Sequence, residues 1–344
     1  MDDLLKILNQ ESFSREDIIF LLGMDNDEQK KLLFDAANKA RLKFVGDEVH
    51  LRGIIDFSNY CSQHCLYCGL REDNFALSRY RMGVDEILDT AKDIYNQGIK
   101  TIILQSGEDN FFDTDLISYL IYSIKKNFDV AITLSIGERG FEEYKVWKIA
   151  GADRYLMKHE TANPKSYYAL HSKSKLEERI NHLKYLKLIG YQIGSGNMIG
   201  LPGQKIEDIA DDILLCKELD VDMAAFGPFI PAPFTPLQSL QPGSVDLTLK
   251  TIAVARLVLK NVNIPSTTAL DSIDLCGREK GLSVGANVVM PDFTPHPFRE
   301  LYQIYQNKRG IFDDPLEANK KIRSRILAIG REISSTRGDR VALN

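Results

Sequence analysis

The chain lacks several things that would have decided its class at once. It has no run of about 18 apolar residues, so no membrane-spanning helix is expected. The 43 lysines and arginines are outnumbered by 48 aspartates and glutamates, for a net charge of −5. They form no cluster, and without a basic stripe nucleic acid is not expected as the main partner. The first residues, Met1-Asp2-Asp3-Leu4, are acidic and helix-like, unlike a secretory signal. No stretch rich in proline, glycine or serine reads as a linker, and the prolines between 228 and 242 read as a binding loop. Cysteine is scarce and odd in number: five, of which three fall within eight residues. A disulfide framework is excluded by that pattern. A metal site in a reducing compartment is implied, with the cytoplasm as the expected location.

What is present centres on those three cysteines. They lie in Tyr60-Cys61-Ser62-Gln63-His64-Cys65-Leu66-Tyr67-Cys68-Gly69, a C-x3-C-x2-C spacing with an aromatic residue just before the last cysteine. Three thiolates on one short loop suit three irons of a cubane and leave the fourth iron open to a small molecule. A structural zinc ion is the alternative; it needs a fourth ligand, and His64 is the candidate within the loop. On that reading the chain is a zinc-stabilised binding barrel without radical chemistry. Buried inert cysteines are the third reading, opposed by the polarity of Asn59, Ser62, Gln63 and His64.

The rest of the chain alternates. Residues 1–48 read as a helical extension: Ser14-x-x-Asp17 forms a capping-box pattern before Ile18–Leu22, and Asp27–Lys43 has helical periodicity. Short β-branched runs then recur at 51–57, 100–105, 130–135, 153–157, 191–197, 222–227, 265–268 and 285–290. Amphipathic stretches follow most of them, at 84–97, 114–126, 141–149, 175–188, 206–218, 246–260 and 271–281. Eight such units imply an α/β fold, a closed (β/α)8 TIM-type barrel over 49–306; a doubly wound open sheet is the competing architecture. Residues 307–344 read as a C-terminal helical tail, helical over 316–333 and then fraying. The polar motifs all follow the strand-like runs, where parallel α/β folds place their sites.

The cysteine spacing, with the barrel, resembles the radical S-adenosylmethionine (SAM) superfamily. The resemblance implies one [4Fe-4S] cluster and SAM as cofactors, with Cys61, Cys65 and Cys68 as both metal ligands and catalytic centre. SAM would chelate the open iron, and its reductive cleavage would give a 5′-deoxyadenosyl radical. It assigns Tyr67 to the adenine. The segment Ser106-Gly107-Glu108 goes to the methionyl ammonium, with glycine permitting a close backbone approach. Glu160 goes to the ribose hydroxyls, Arg179 to the methionyl carboxylate, and Met198-Ile199-Gly200 to the adenine wall. Structural readings are kept for His159, Cys216 and Cys276.

A narrower resemblance is carried by several strings together: Phe57 to Arg71, Arg79-Tyr80-Arg81-Met82, Leu104 to Asp109, His159 to Pro164, Gly200 to Gln204, Gly227 to Pro231, Pro265 to Ala269 and Gly285 to Pro291. Over about 45–306 these are similar to the HydE family of [FeFe]-hydrogenase maturases. The implied function is assembly of the 2Fe subcluster of the H-cluster, with the radical acting on a sulfur-containing iron–cysteine precursor. Partner maturases, and a flavodoxin or ferredoxin as electron donor, are implied with it. Arg52, Thr267, Thr268, Met290 and Tyr302 are assigned to substrate. The sequence departs from the family at two places: no cysteine follows Cys276, so a second cluster is not expected, and Lys158 stands where an arginine is associated with the family. A methylornithine synthase-like enzyme on an amino-acid-derived substrate is the alternative radical enzyme. Biotin synthase would need more cysteines than Cys216 and Cys276.

Overall fold

Residues 2–342 are described by a computed structural model. Three helices open the chain: α1 (Asp2–Leu8), α2 (Arg15–Leu22) and α3 (Asp27–Val45). The Ser14 hydroxyl accepts from Asp17 N, and the Asp17 carboxylate accepts from Ser14 N, so the expected capping box forms. These helices pack on the outside of the barrel, against two of its later helices.

Six parallel strands form the main sheet in chain order: β2 (Gly53–Ser58), β3 (Thr101–Ser106), β4 (Ala131–Ser135), β5 (Arg154–Leu156), β6 (Gln192–Ile199) and β7 (Met223–Pro228). The helices α4 (Val84–Asn96), α5 (Thr114–Asn127), α6 (Phe141–Ala150), α7 (Pro164–Leu170), α8 (Leu176–Leu188), α9 (Ile206–Glu218) and α10 (Val245–Leu259) connect them and follow β7. The helix α4 shows the logic: Ile87, Ala91 and Ile94 repeat at helical spacing and are fully buried against the sheet.

The last two strand-like runs are much shorter than expected. The seventh forms only the bridge Pro265↔Val288, and the eighth shrinks to β8 (Val288–Val289). Pro265 has no N–H to give to a ladder, and Thr267 already caps α11 (Thr268–Ile273), so the chain leaves the wall at once. Isolated bridges and a few hydrogen bonds at each joint complete the ring. Ala224 N donates to Asn263 O at 2.9 Å, Ser266 N to Val288 O at 2.9 Å, and Ile54 N to Pro291 O at 2.9 Å. Eight segments therefore close as a barrel, and the open-sheet alternative fails.

Further differences are local. The helix expected at 271–281 is broken into α11 and α12 (Gly277–Ser283). A short strand, β1 (Glu48–Leu51), precedes the first barrel strand and pairs with β8 and with β9 (Glu332–Ile333). Two helices, α13 (Phe298–Leu301) and α14 (Pro315–Ala328), follow β8. The tail does not fray where expected; it runs beneath the barrel. Gly338 O accepts from Arg52 Nη2 at 3.0 Å and Asn263 Nδ2 at 3.2 Å. The Asp339 carboxylate accepts from Arg154 Nη2 at 2.6 Å and Gln192 Nε2 at 2.8 Å. The end of the barrel opposite the cysteines is thus sealed by a polar strap. Residues 343–344 lie outside the described residues.

Candidate active site

The cysteine loop leaves the C-terminal end of β2 and is held by its neighbours in space. Asn59 is fully buried; its amide donates to Ser78 O and Leu301 O, and its carbonyl accepts from Tyr80 N. Arg79 donates to four loop carbonyls, those of Asn59, Leu70, Arg71 and Asn74, at 2.6–3.3 Å. The segment after β3 grips the loop from the other side. Ser62 N donates to Glu108 O at 3.0 Å, and Glu108 N donates to Cys61 Sγ at 3.4 Å. Gly107 permits this approach: a Cβ there would run into the Tyr60 carbonyl and the Cys61 side chain.

All three thiols face one cavity of about 400 Å³ at this end of the barrel. Burial pushes each of them up, and for Cys65 and Cys68 the neighbouring thiols are the next cause; Cys68 reaches about 12. Three thiolates in a dry pocket repel one another and need a positive core to settle them. That donor set fits an iron–sulfur cube. His64, the candidate fourth ligand for zinc, turns outward to Asp73 at 2.6 Å and Glu72 at 3.1 Å.

Most of the expected site residues meet in this cavity. Tyr67, Ser106, Gly107, Glu108, Glu160, Arg179, Met198, Thr267, Thr268, Met290 and Tyr302 line it with the cysteines. Glu160 holds a left-handed backbone, φ 64, costly for a side-chain residue. It is fixed there by Glu160 N to Gly196 O at 3.0 Å and Met198 N to Glu160 O at 3.2 Å. Lys158 Nζ stands 3.0 Å from its carboxylate, also at the cavity wall. Behind them, fully buried His159 meets Ser195 Oγ at 2.9 Å and Asp212 at 3.3 Å and stays outside the cavity, a structural role. Arg179 donates from Nε to Glu138 and from Nη1 to Lys158 O; its Nη2 makes no hydrogen bond among the described residues. Burial pushes the Glu108 carboxyl up, with Glu138 N and Gln63 bound to it as the opposing influence.

Three expected residues lie elsewhere. Arg52 faces the barrel interior at its opposite end, bound to Gly338 O and 3.2 Å from Met223 Sδ. It precedes β2, whereas the cysteines follow it, and six residues of strand span about 20 Å. Ile199 sits next to Met198 on β6, and adjacent strand residues point to opposite faces; its side chain is buried in the core. Gly200 makes the turn after β6 and packs on Gly243. Cys216 is buried in α9, as expected, whereas Cys276 is exposed.

Sequence reasoning missed other members. His171 lines the cavity, and its Nε2 accepts from Tyr67 Oη at 2.8 Å. Its Nδ1 faces Tyr167 O at 3.1 Å, which can only accept, so Nδ1 carries the proton. Burial lowers this imidazole to about 4 and keeps it neutral. Lys308 enters from the segment after α13 and meets Asp56 at 3.0 Å and Asp292 at 2.9 Å. Burial pushes the Asp56 carboxyl well above its usual range, against the pull of Lys308.

The Radical SAM superfamily model matches residues 55–216. The [FeFe] hydrogenase maturase subunit HydE of Thermotoga maritima is 47% identical over 330 residues, covering 96% of this chain and 94% of that one. A 3-methylornithine synthase of Methanosarcina acetivorans is 30% identical over 286 residues, 83% of this chain and 81% of its own. A crystal structure of methylornithine synthase superposes with a TM-score of 0.86 at 26% identity, covering 96% of this chain and 97% of that one. A structure of the hydrogenase maturase HydG superposes at 0.84 with 19% identity, over 97% of this chain and 76% of that one, a likeness of fold alone. With that extent of identity, and with the three thiols gathered at the mouth of a (β/α)8 barrel, this chain belongs to the radical SAM superfamily and, within it, to the HydE family of [FeFe]-hydrogenase maturases.

Proposed function

We propose that Cys61, Cys65 and Cys68 hold one [4Fe-4S] cluster, that SAM lies against it in the 400 Å³ cavity, and that the enzyme acts there as a HydE-type maturase on the way to the 2Fe subcluster. The carrying observation is convergence: three thiols, a glycine approach, a carboxylate, a guanidinium and two threonine hydroxyls reach one cavity from five separate segments. When bound, the reduced cluster supplies the electron that breaks a C–S bond of SAM and yields the 5′-deoxyadenosyl radical.

The chain's own residues bind, orient and exclude water. Glu160 accepts from the ribose hydroxyls, its aim set by the two backbone bonds to β6. Tyr67, held by His171, and Met198 flank the adenine. The backbone at Ser106–Glu108 receives the methionyl ammonium, and Arg179 turns Nη2 to the methionyl carboxylate. Apolar walls at Ile54, Leu156, Ile230 and Met290 keep water from the radical. Thr267, Thr268 and Tyr302 meet the substrate, a small organometallic iron–cysteine species supplied by a partner maturase. A flavodoxin or ferredoxin supplies the electron. Five unpaired cysteines support a cytoplasmic setting, and among the described residues no helix is long and apolar enough to cross a membrane.

A second reading, an amino-acid-derived substrate, is supported by the close superposition on methylornithine synthase. Activation of apo-hydrogenase with and without the reconstituted protein separates the two. Restored hydrogen evolution supports the maturase. Production of 5′-deoxyadenosine with no activation rejects that role and leaves the radical enzyme standing.

A further inference from the structure

A second chamber, of about 350 Å³, adjoins the first. It lies outside the barrel wall, between α11–α12 and the segment from Lys308 through α14. Thr268, Met290, Asp292 and Lys308 line both chambers, so a single wall separates them. Six cationic side chains face the second chamber, Arg278, Arg299, Lys308, Arg309, Lys321 and Arg325, against three carboxylates. Those carboxylates are already engaged. Asp271 accepts from Arg325 at 2.7 and 3.1 Å and lies 3.3 Å from Arg278. Asp292 holds Lys308, and Asp313 lies 3.5 Å from Lys321. From outside the lining, Asp56 and Glu279 take a further share of Lys308 and Arg325.

Positive charge is still left over. Arg309 is exposed and makes no ion pair among the described residues. Arg278 and Arg299 are only 5% and 3% exposed, and the Nε of each makes no hydrogen bond; Arg299 Nε lies 3.6 Å from Asp292, a carboxylate it shares with Lys308, and its Nη1 donates to Asp313 O. Burial pulls Arg278 below its usual value even with Asp271 beside it. A buried guanidinium short of acceptors is costly, and its fork matches paired carboxylate oxygens. We propose that this chamber is a second binding site, taking a small dicarboxylate anion from solvent past the rim residues Arg309 and Lys321 and holding it against the Lys308–Asp292 wall of the reaction cavity.

The test is calorimetric titration of succinate into the reconstituted, SAM-saturated protein. The wild type takes up one succinate. The rim variant Arg309→Glu/Lys321→Glu, checked for unchanged melting temperature, binds it about tenfold more weakly or worse. The remote charge reversal Lys31→Glu leaves the affinity unchanged. No succinate heat in the wild type, or equal affinity in the rim variant, overturns the proposal. Hydrogenase activation is read separately, so failure here leaves the maturase reading intact.

Discussion

Arg81 clasps the carboxylate of Asp109 through Nε and Nη2, at 2.7 and 2.9 Å. Ser58 Oγ adds a third donor at 2.7 Å, and the guanidinium lies over the Tyr60 ring, its carbon 3.8 Å from the centroid. This clasp ties the strand before the cysteines to the segment that touches Cys61. Burial alone would raise Asp109; Arg81, Ser58 and the Phe111 N–H outweigh it and hold the carboxyl below its usual range. Arg81→Met leaves that carboxylate buried with fewer partners, and we expect a loss of about 2 kcal/mol. The folded state disfavours the proton, so the clasp stabilises fully above the unfolded carboxylate value of about 4 and fades as pH falls further. Urea midpoints of wild type and variant should therefore converge below about pH 4.

Each of Cys61→Ser, Cys65→Ser and Cys68→Ser removes one ligand from the site. Iron content after anaerobic reconstitution should fall from about four per chain in the wild type to a small fraction of that. Cys276→Ser should keep the wild-type content, because that thiol is exposed and outside the cavity.

Tyr67 and His171 should couple. Tyr67→Phe leaves a buried imidazole nitrogen without a donor, and His171→Phe frees the Tyr67 hydroxyl. Each single change should weaken SAM binding, and the double variant should lose less than the sum. Iron content should be unchanged in all three. His171 and His50 are both lowered to about 4 by burial. Unfolded chains take up their protons near pH 6.5 while the folded protein does not, so stability falls as pH drops from about 6.5 toward 4. His171→Phe should flatten that slope.

Glu160→Gln keeps the side-chain volume and loses the charge that faces Lys158. SAM affinity should drop about tenfold, with iron content retained. Equal SAM affinity in this variant would remove Glu160 from the ribose site.

Gly338 holds φ 63 in the strap beneath the barrel, and a Cβ there would come within 2.7 Å of the His50 ring. Gly338→Ala should cost about 1–3 kcal/mol by strain and displacement. Thermal melting checks it. A shift no larger than that of an exposed glycine change would mean the strap does not seal the barrel.

Much of the site was legible because it is local. The spacing of Cys61, Cys65 and Cys68 places three thiols on one loop in any fold, and the motifs after each strand were bound to share one end of a parallel barrel. Strand periodicity could also have removed Ile199, the neighbour of Met198, from the list, since it governs which face each residue takes. Other members left no local mark. Tyr67 and His171 are 104 residues apart, and Lys308 is 252 residues from Asp56. Arg79 stands in one of the strings that carry the resemblance, but its four carbonyl partners are shown only by the fold.

The sequence by itself determined the metal chemistry, the α/β alternation and the end of the barrel that carries the site, because these follow from short-range spacing. Tertiary structure alone decided which charges are paired and which are left over. It put Arg52 under the barrel with Gly338, sent Lys308 into the reaction cavity, and gathered arginines from three helices around a second chamber. Burial and partnership are properties of closure, and closure joins residues that the chain keeps far apart.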